Sequence, residues 1–323
     1  MVTADFRTYM INIKKYAVGA DIGGSHITCA VIDLRKKTIL NETIASQPVD
    51  NKASAEGILN NWVLAIKRSL NDIDRNELMG IGFAMPGPFD YDTGIARFTH
   101  EVNKFERLNG VNVAQHLQTI FSLKTNNSVR FMNDATAFAV GEAWFGKAAN
   151  VQRSISITLG TGFGSAFIDK GVPVVEREDV PGMGCVWHLP FNHGIADDYF
   201  STRWFIRRYA EKSDKQLAGV KEIALRVPSD TLAKEVFAEF GTNLGSFLGS
   251  WLKKFKAEAL IIGGNVSAAY PLFGKTFGMS LERQKVGTKI YISDLKEDAA
   301  IIGSARLFET NFWNEVKSLL PKM

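Results

Sequence analysis

Apolar runs alternate with short glycine-rich polar turns along this chain, and the alternation predicts its elements. Residues 16–22 form an apolar run, Gly23-Gly24-Ser25-His26 interrupts it, and residues 27–33 resume it, which predicts strand, tight turn and strand. After the Arg35-Lys36-Lys37 turn, residues 38–45 predict a third strand that completes an antiparallel meander. Ile58, Leu59, Trp62, Ala65, Ile66 and Leu70 then recur at helical spacing, with Ser54 as the N-cap. Residues 79–84 predict the next strand, which ends in Met85-Pro86-Gly87-Pro88. The long polar segment 90–112 that follows reads as a loop shaped for a ligand. Residues 129–132 predict another short strand, with Asn133-Asp134 at its handover to a helix starting near Ala135. Ala135, Ala137, Ala139 and Gly141 let that helix approach another backbone closely.

The second half opens on the same pattern. Residues 154–169 read as strand, a Gly160-Thr161-Gly162 turn, and strand. An irregular stretch over 173–194 precedes helices over 196–209 and 231–255. In the latter, Leu232, Val236, Phe240, Leu244, Phe247, Leu248, Trp251 and Phe255 line one face. Gly241, Gly245 and Gly249 at four-residue spacing invite a membrane-helix reading. The uncharged run holds Thr242, Asn243, Ser246 and Ser250 and falls short of a bilayer span, so it predicts close packing in a soluble core. A buried strand over 259–262, the turn Gly263-Gly264-Asn265-Val266, a helix from Ser267 and a last strand over 289–292 lead to residues 299–308. Strands and helices alternate in both halves, so the fold class is α/β, and the repetition of meander, helix and strand suggests a duplication.

Composition narrows the function. The 323 residues suffice for two domains with separate cores, and 46% hydrophobic with 22% charged residues describes a soluble globular protein. A net charge of +4, with no basic run longer than Arg35-Lys36-Lys37, argues against a nucleic-acid or anionic-membrane surface. Cys29 and Cys185 make neither a disulfide framework nor a paired metal-ligand spacing and read as thiols in a reducing compartment. Residues 1–15 lack the apolar core of a signal peptide, so a cytoplasmic protein is expected, with a short leader or an added edge strand.

The candidate chemistry sits in the two glycine hairpins. Glycines permit positive φ and close backbone approach, so Gly23 and Gly24 can turn N–H groups into a concavity suited to phosphate. Asp21, at the strand end, is placed to hold a metal through water. β-Forming residues follow both turns and no Gly-Lys-Ser/Thr occurs, so neither is a dinucleotide or P-loop arrangement. One such hairpin is ordinary in β proteins, but two opening separate halves, each with a polar side chain beside its glycines, point to a ligand. Asn133-Asp134 reads equally as a helix cap or as a chemical site.

In order along the chain, Asp21-Ile22-Gly23-Gly24-Ser25, Pro86-Gly87, Asn133-Asp134, Leu159-Gly160-Thr161-Gly162-Phe163-Gly164 and Ile262-Gly263-Gly264-Asn265-Val266 resemble the ROK family of sugar kinases, within the actin-like ATPase superfamily. The resemblance runs over residues 16–308 and implies a two-domain actin-like (ribonuclease H-like) fold with a central cleft. The N-terminal domain would be residues 1–133 with the first phosphate loop; residues 134–302 would form the C-terminal domain with the second loop and the adenosine pocket, and 303–323 would pack back on the first. The implied function is transfer of the γ-phosphate of ATP to a hydroxyl of glucose or a related hexose, with Asp134 as general base. Gly23, Gly24 and Ser25 in one loop and Gly160, Thr161 and Gly162 in the other would cradle the phosphates. Asp21 would hold Mg²⁺ through its waters. Gly263, Gly264 and Asn265 would line the adenosine pocket, and Pro86, Gly87, Asn103, Asn133, Asp134, His188 and Asp197 would face the sugar. A homodimer is implied only by analogy. Some family members carry an N-terminal helix-turn-helix; with about fifteen residues before the first strand, DNA binding by that route is not expected.

The chain departs from the family pattern around the sugar. A Gly-Glu-x-Gly-His segment is usual, and its counterpart here is Gly184-Cys185-Val186-Trp187-His188. A thiol cannot replace a carboxylate's two acceptor oxygens. The family's zinc cysteines are absent, so no zinc site is expected. The short, zinc-less form resembles the polyphosphate-glucokinase branch, with Asn103 where that branch has a sugar-binding Asn and Leu108 in place of its usual Trp. Two further functions stay open: a catalytically weak sugar- or nucleotide-binding sensor, and a kinase with polyphosphate as donor or an amino sugar as acceptor.

Overall fold

The protein is described by a computed structural model covering residues 14–100, 104–123 and 127–323. The antiparallel meander consists of β1 (Tyr16–Ile22), β2 (His26–Asp33) and β3 (Thr38–Pro48). Its register slips between Cys29 and Val31, where the Val31 N–H turns to the Thr43 hydroxyl at 2.8 Å. Helix α1 (Ala55–Ser69) buries the predicted stripe, and Ser54 caps it by accepting from the Gly57 N–H. Strand β4 (Leu78–Met85) runs parallel to β1, a small hairpin of β5 (Phe89–Asp90) and β6 (Ile95–Ala96) follows, and α2 (Val113–Ile120) leads to β7 (Val129–Asn133) beside β4. The sheet order is β3-β2-β1-β4-β7.

Without an intervening loop, α3 (Asp134–Trp144) leaves β7 and carries the chain to a second sheet. There β8 (Arg153–Leu159), β9 (Phe163–Asp169) and β10 (Val172–Pro173) repeat the meander. A hairpin of β11 (Pro190–Phe191) and β12 (Gly194–Ile195) and helices α4 (Ala196–Tyr199), α5 (Thr202–Ser213), α6 (Val220–Arg226) and α7 (Thr231–Lys254) intervene. Strand β13 (Ala259–Gly263), helix α8 (Tyr270–Arg283) and β14 (Lys289–Ile292) complete the order β10-β9-β8-β13-β14. Both sheets thus share one topology, which supports the duplication read from the sequence. Helices α9 (Asp298–Ala305) and α10 (Thr310–Val316) end the chain; Leu307, Phe308, Phe312, Val316 and Leu320 pack into the core of the first sheet.

The two halves meet where α3 crosses α9, and glycine sets the spacing. A Cβ on Gly141 would stand 1.9 Å from the Ala299 carbonyl oxygen, and one on Gly303 would stand 1.8 Å from that of Ala137. Both obstacles are helix backbone, which cannot step aside as a side chain can. Gly303→Ala is therefore expected to cost about 1–3 kcal/mol in urea unfolding. Gly287→Ala, whose Cβ meets nothing within 4 Å, serves as the control and should stay within about 0.5 kcal/mol of the parent.

Four sequence expectations shift. Segment 90–112 is not simply polar loop: Phe98, Phe105 and Leu108 are fully buried there, and Phe98 and Phe105 pack at 5.6 Å. The helix expected over 196–209 breaks at Phe200-Ser201, because the Thr202 N–H that would continue it donates instead to the Gly160 carbonyl at 2.8 Å. The short α6 was not anticipated. Residues Asn265–Ala269 form a 3₁₀ turn, and α8 begins at Tyr270, with Pro271 in the first turn where its missing N–H is harmless. The glycines of α7 pack on α8, where a Cβ on Gly241 would meet the Phe273 carbonyl at 2.3 Å, and among the described residues no helix is long and apolar enough to cross a membrane.

Candidate active site

The strand-to-helix junction at Asn133-Asp134 resolves an ambiguity that the residue types leave open. Asn133 is the N-cap of α3, its Oδ1 accepting from the Thr136 N–H at 3.2 Å, while its Nδ2 donates to the Tyr91 hydroxyl at 3.3 Å. Tyr91 in turn donates to the Met85 carbonyl at 3.2 Å, fastening the Met85-Pro86-Gly87-Pro88 turn to the end of β7. Asp134 is thereby relieved of capping through its side chain to the next turn. Its Oδ1 accepts only the adjacent Ala135 N–H, at 2.8 Å, and its carboxylate is half-buried at the start of the helix. A negative charge there is favoured by the helix dipole.

Both glycine hairpins converge on this junction. A Cβ on Gly164, at the start of β9, would stand 2.7 Å from the Ala135 Cβ, so the second hairpin abuts the first turn of α3. The first hairpin follows Asp21, which pairs with Ala84 of β4 one residue before the Met85 turn. Burial pushes the Asp21 carboxyl up to about 8, and the negative charges of Asp134 and Glu297 push it the same way. A desolvated acid facing two further acids is an environment that a divalent cation would relieve. Among the described residues no group of three His, Cys, Asp or Glu side chains is arranged to grip a metal. A single carboxylate such as Asp21 can hold a divalent cation through the waters of its shell, as Mg²⁺ is commonly held.

The loops differ from expectation in how they use their glycines. None of Gly23, Gly24, Gly160 or Gly162 adopts a left-handed conformation, and the N–H of Gly23 is spent on the His26 carbonyl at 3.0 Å. What glycine supplies is room. A Cβ would meet nothing within 4 Å at Gly24 or Gly160, while at Gly23 and Gly162 it would press at 3.2 Å on the His26 carbonyl and the Asp197 carboxylate. Ser25 is exposed beside Gly24, its Oγ 3.3 Å from the His26 Nδ1, and His26 Nε2 lies 3.8 Å from Glu297. Gly160 forms a bond across its own turn to the Gly162 carbonyl at 3.1 Å, and Thr161 is exposed at the tip.

On the opposite wall, Gly184 turns the chain at φ +62°, where a Cβ would meet the Val174 carbonyl at 2.4 Å. The next N–H but one, that of Val186, donates to Ser165 Oγ at 2.9 Å, beside Gly164. Cys185 thus lies within a few contacts of Ala135 and, like Asp134, close to Tyr91. The Cys185 Sγ is 3.8 Å from His188 Nδ1. Burial pushes the thiol up to about 11 and the imidazole below its usual value, so both side chains are neutral near pH 7. The Trp187 ring is 43% exposed and meets the His188 ring edge-on at 5.4 Å.

Two expected site residues sit differently. Asp197 does not project freely toward a ligand: Oδ1 accepts the Phe163 N–H at 2.7 Å and Oδ2 accepts from Arg203 at 2.6 Å. Gly263 is buried under the Phe138 ring, 2.3 Å from where a Cβ would be, and only Gly264 (φ +79°) and Asn265 are exposed at the end of β13. Asn103 lies outside the described residues. Pro86 is buried and Gly87 exposed, 3.4 Å from the Tyr91 hydroxyl at its Cβ position. Sequence reasoning missed Tyr91 and Arg203. Tyr91 carries a signal in hindsight, an aromatic just beyond the Pro-Gly turn, whereas Arg203 carries none, being one of several arginines on α5.

The sequence model of the ROK family matches residues 17–311. A glucokinase of Thermotoga maritima is 26% identical to this chain, over 92% of it and 98% of the relative. An N-acetyl-D-glucosamine kinase of Haemophilus influenzae is 23% identical over 90% and 99%. In structure, the chain is similar to a ROK family glucokinase from Streptomyces griseus solved with glucose and AMPPNP, with a TM-score of 0.71 and 23% identity over 91% of this chain and 99% of that one. The mixed α/β architecture with two like sheets is accordingly the actin-like two-domain fold.

Proposed function

The chain belongs to the ROK family, and from that premise we propose that it is a sugar kinase, transferring the terminal phosphate of ATP to a hydroxyl of a hexose. The observation that carries this reading is the convergence on Asp134: the Gly164–Ala135 contact joins the second glycine loop to it, and the Asp21 strand end brings the first. Relatives over nearly the whole chain are a glucokinase and an N-acetyl-D-glucosamine kinase. The division we propose runs at 133/134, with residues 303–323 returning to the first domain as their packing supports.

In this reading the free oxygen of Asp134 takes the proton of the attacking sugar hydroxyl. Gly24 and Ser25 on one side and Gly160 and Thr161 on the other receive the phosphates, because open space lies above both glycines. Phosphoryl transfer has a loose transition state, so placing donor and acceptor in line is most of what the protein has to do. Mg²⁺, held through water at Asp21, would offset the charge of the phosphates. Gly264 and Asn265 border the adenosine. Asn133, held by Thr136 and Tyr91, orients the turn at Pro86-Gly87 against the sugar. The test offers the purified protein glucose, mannose, glucosamine, N-acetylglucosamine and N-acetylmannosamine with MgATP or polyphosphate and measures sugar phosphate. Binding of sugar and nucleotide with no turnover of any pair would replace the kinase by a sensor.

A second reading, for an N-acylated amino sugar as acceptor, is favoured by Cys185. A neutral thiol beside a neutral His188 and an exposed Trp187 offers an apolar wall where a carboxylate would bind a hydroxyl. On this reading Cys185→Glu should raise kcat/KM for glucose about 10-fold, the worth of one hydrogen bond to a charged acceptor, and lower it for N-acetylglucosamine. Equal change on both sugars would remove Cys185 from specificity.

A further inference from the structure

The second glycine loop is fastened from behind by α4 and α5. Asp197, in α4, accepts the Phe163 N–H on one oxygen at 2.7 Å and Arg203 Nη2 on the other at 2.6 Å. The same guanidinium donates from Nη1 to the Thr161 carbonyl at 3.0 Å, and the neighbouring Thr202 N–H donates to the Gly160 carbonyl at 2.8 Å. Residues 160, 161 and 163 are thus each tied to one helical unit, and Gly162 leaves the room that the Asp197 carboxylate fills.

These bonds have an electrostatic consequence. A loop that receives phosphate has to present N–H groups, and any carbonyl aimed at the ligand repels it. Here the carbonyls of Gly160 and Thr161 are both drawn toward α5 by donors. The guanidinium, 58% exposed, also leaves a positive charge at the rim of the loop. The planar fork reaches the carboxylate and the carbonyl from two nitrogens in fixed geometry; a lysine ammonium carries its donors on one nitrogen and lacks that geometry.

We propose that the Asp197–Arg203 pair is a latch that holds the Gly160-Thr161-Gly162 loop in its phosphate-receiving shape, so that it governs affinity for the nucleotide and not for the sugar. The latch rests on the nucleotide-binding part of the proposed function. It also gives Asp197 a positioning part in place of the sugar contact expected from sequence.

Titration calorimetry with MgADP and, separately, with the sugar that the substrate panel identifies tests it on the full chain. Asp197→Asn keeps an acceptor for Phe163 and loses the ionic partner; Arg203→Ala removes the fork. Each is expected to weaken MgADP binding about 10-fold and to leave sugar affinity within about twofold, corresponding to loss of one charge-assisted pair. The double variant should be no weaker than the weaker single, since the two residues act as one unit. Arg203→Lys should not restore binding. Amide exchange at residues 160–163 in the ligand-free variants should quicken, a readout independent of turnover. Unchanged MgADP affinity in Arg203→Ala, or a sugar affinity that falls in Asp197→Asn, would overturn the latch. Parent protein that fails to bind MgADP would instead sink the kinase reading on which it stands.

Discussion

Asp134→Asn is expected to lower kcat by about 10²- to 10⁴-fold, the usual worth of a positioned general base, while the melting temperature stays near that of the parent. The substitution is chosen for what it preserves. The Asn Oδ1 can still accept the Ala135 N–H now held at 2.8 Å, and the true N-cap, Asn133, is untouched. What disappears is the basic oxygen on the other side of the group. If Asp134 served only the helix end, the Asn variant would be as active as the parent, since Asn and Asp are nearly equivalent at helix starts. KM for sugar should change little, because the lost interaction develops only as the proton moves. Steady-state kinetics on the best sugar of the panel, with melts of both proteins, separate the two parts. An active Asn variant would leave the site without its base.

Much of the fold was legible because it rests on local rules. The strand pattern at 16–33, the Ser54 cap and the stripe from Ile58 to Leu70 each need only their own neighbours, and each stands where periodicity placed it. The echo at 154–169 was legible as a second hairpin, and the shared sheet order extends that echo to two whole sheets. Where reading stopped short, a long-range contact had taken over from a local preference. Phe98 and Phe105 look like residues of a polar loop until the aromatic cluster with Phe89 and Trp62 surrounds them. The helix that should run through Phe200 stops because Gly160, forty residues earlier, claims the Thr202 N–H.

The site shows the same division. Asp21, Asp134 and the glycines could be picked out because acids at strand ends and glycines in turns stand out by type. Their duties could not be assigned in the same way. Asn133 and Asp134 are adjacent and chemically alike, and only the bonds to Thr136 and Tyr91 show which one caps. Asp197 has the right type and place for a ligand contact, yet Phe163 and Arg203 occupy both its oxygens. The wall at Cys185 is the reverse case: its departure from the family pattern was visible in the sequence, while its neutrality follows from burial.

Asp21→Asn is expected to make the ligand-free protein more stable at neutral pH and, at the same time, a poorer kinase. The sign follows from linkage. The Asp21 carboxyl is raised from 3.8 to about 8 on folding, first by burial and then by the charges of Asp134 and Glu297. Below pH 4 it is protonated in both states and costs nothing. Between pH 4 and 8 the unfolded chain releases the proton that the folded chain keeps, so stability falls as pH rises, levelling off above 8. At about 1.4 kcal/mol per pH unit, a rise from 3.8 to about 8 makes the loss at its full extent on the order of 6 kcal/mol, and a neutral amide of the same shape avoids it. Melts of parent and variant without metal, from pH 5 to 9, should therefore lie closest at the acid end and diverge toward the alkaline end, the variant being higher. Added Mg²⁺ should close part of that gap for the parent and leave the variant unmoved, while the variant's kcat with MgATP falls. Parallel melting curves across the range would show that Asp21 ionises in the folded protein as freely as in the unfolded one. The strand end would then hold no strained acid for a cation to relieve.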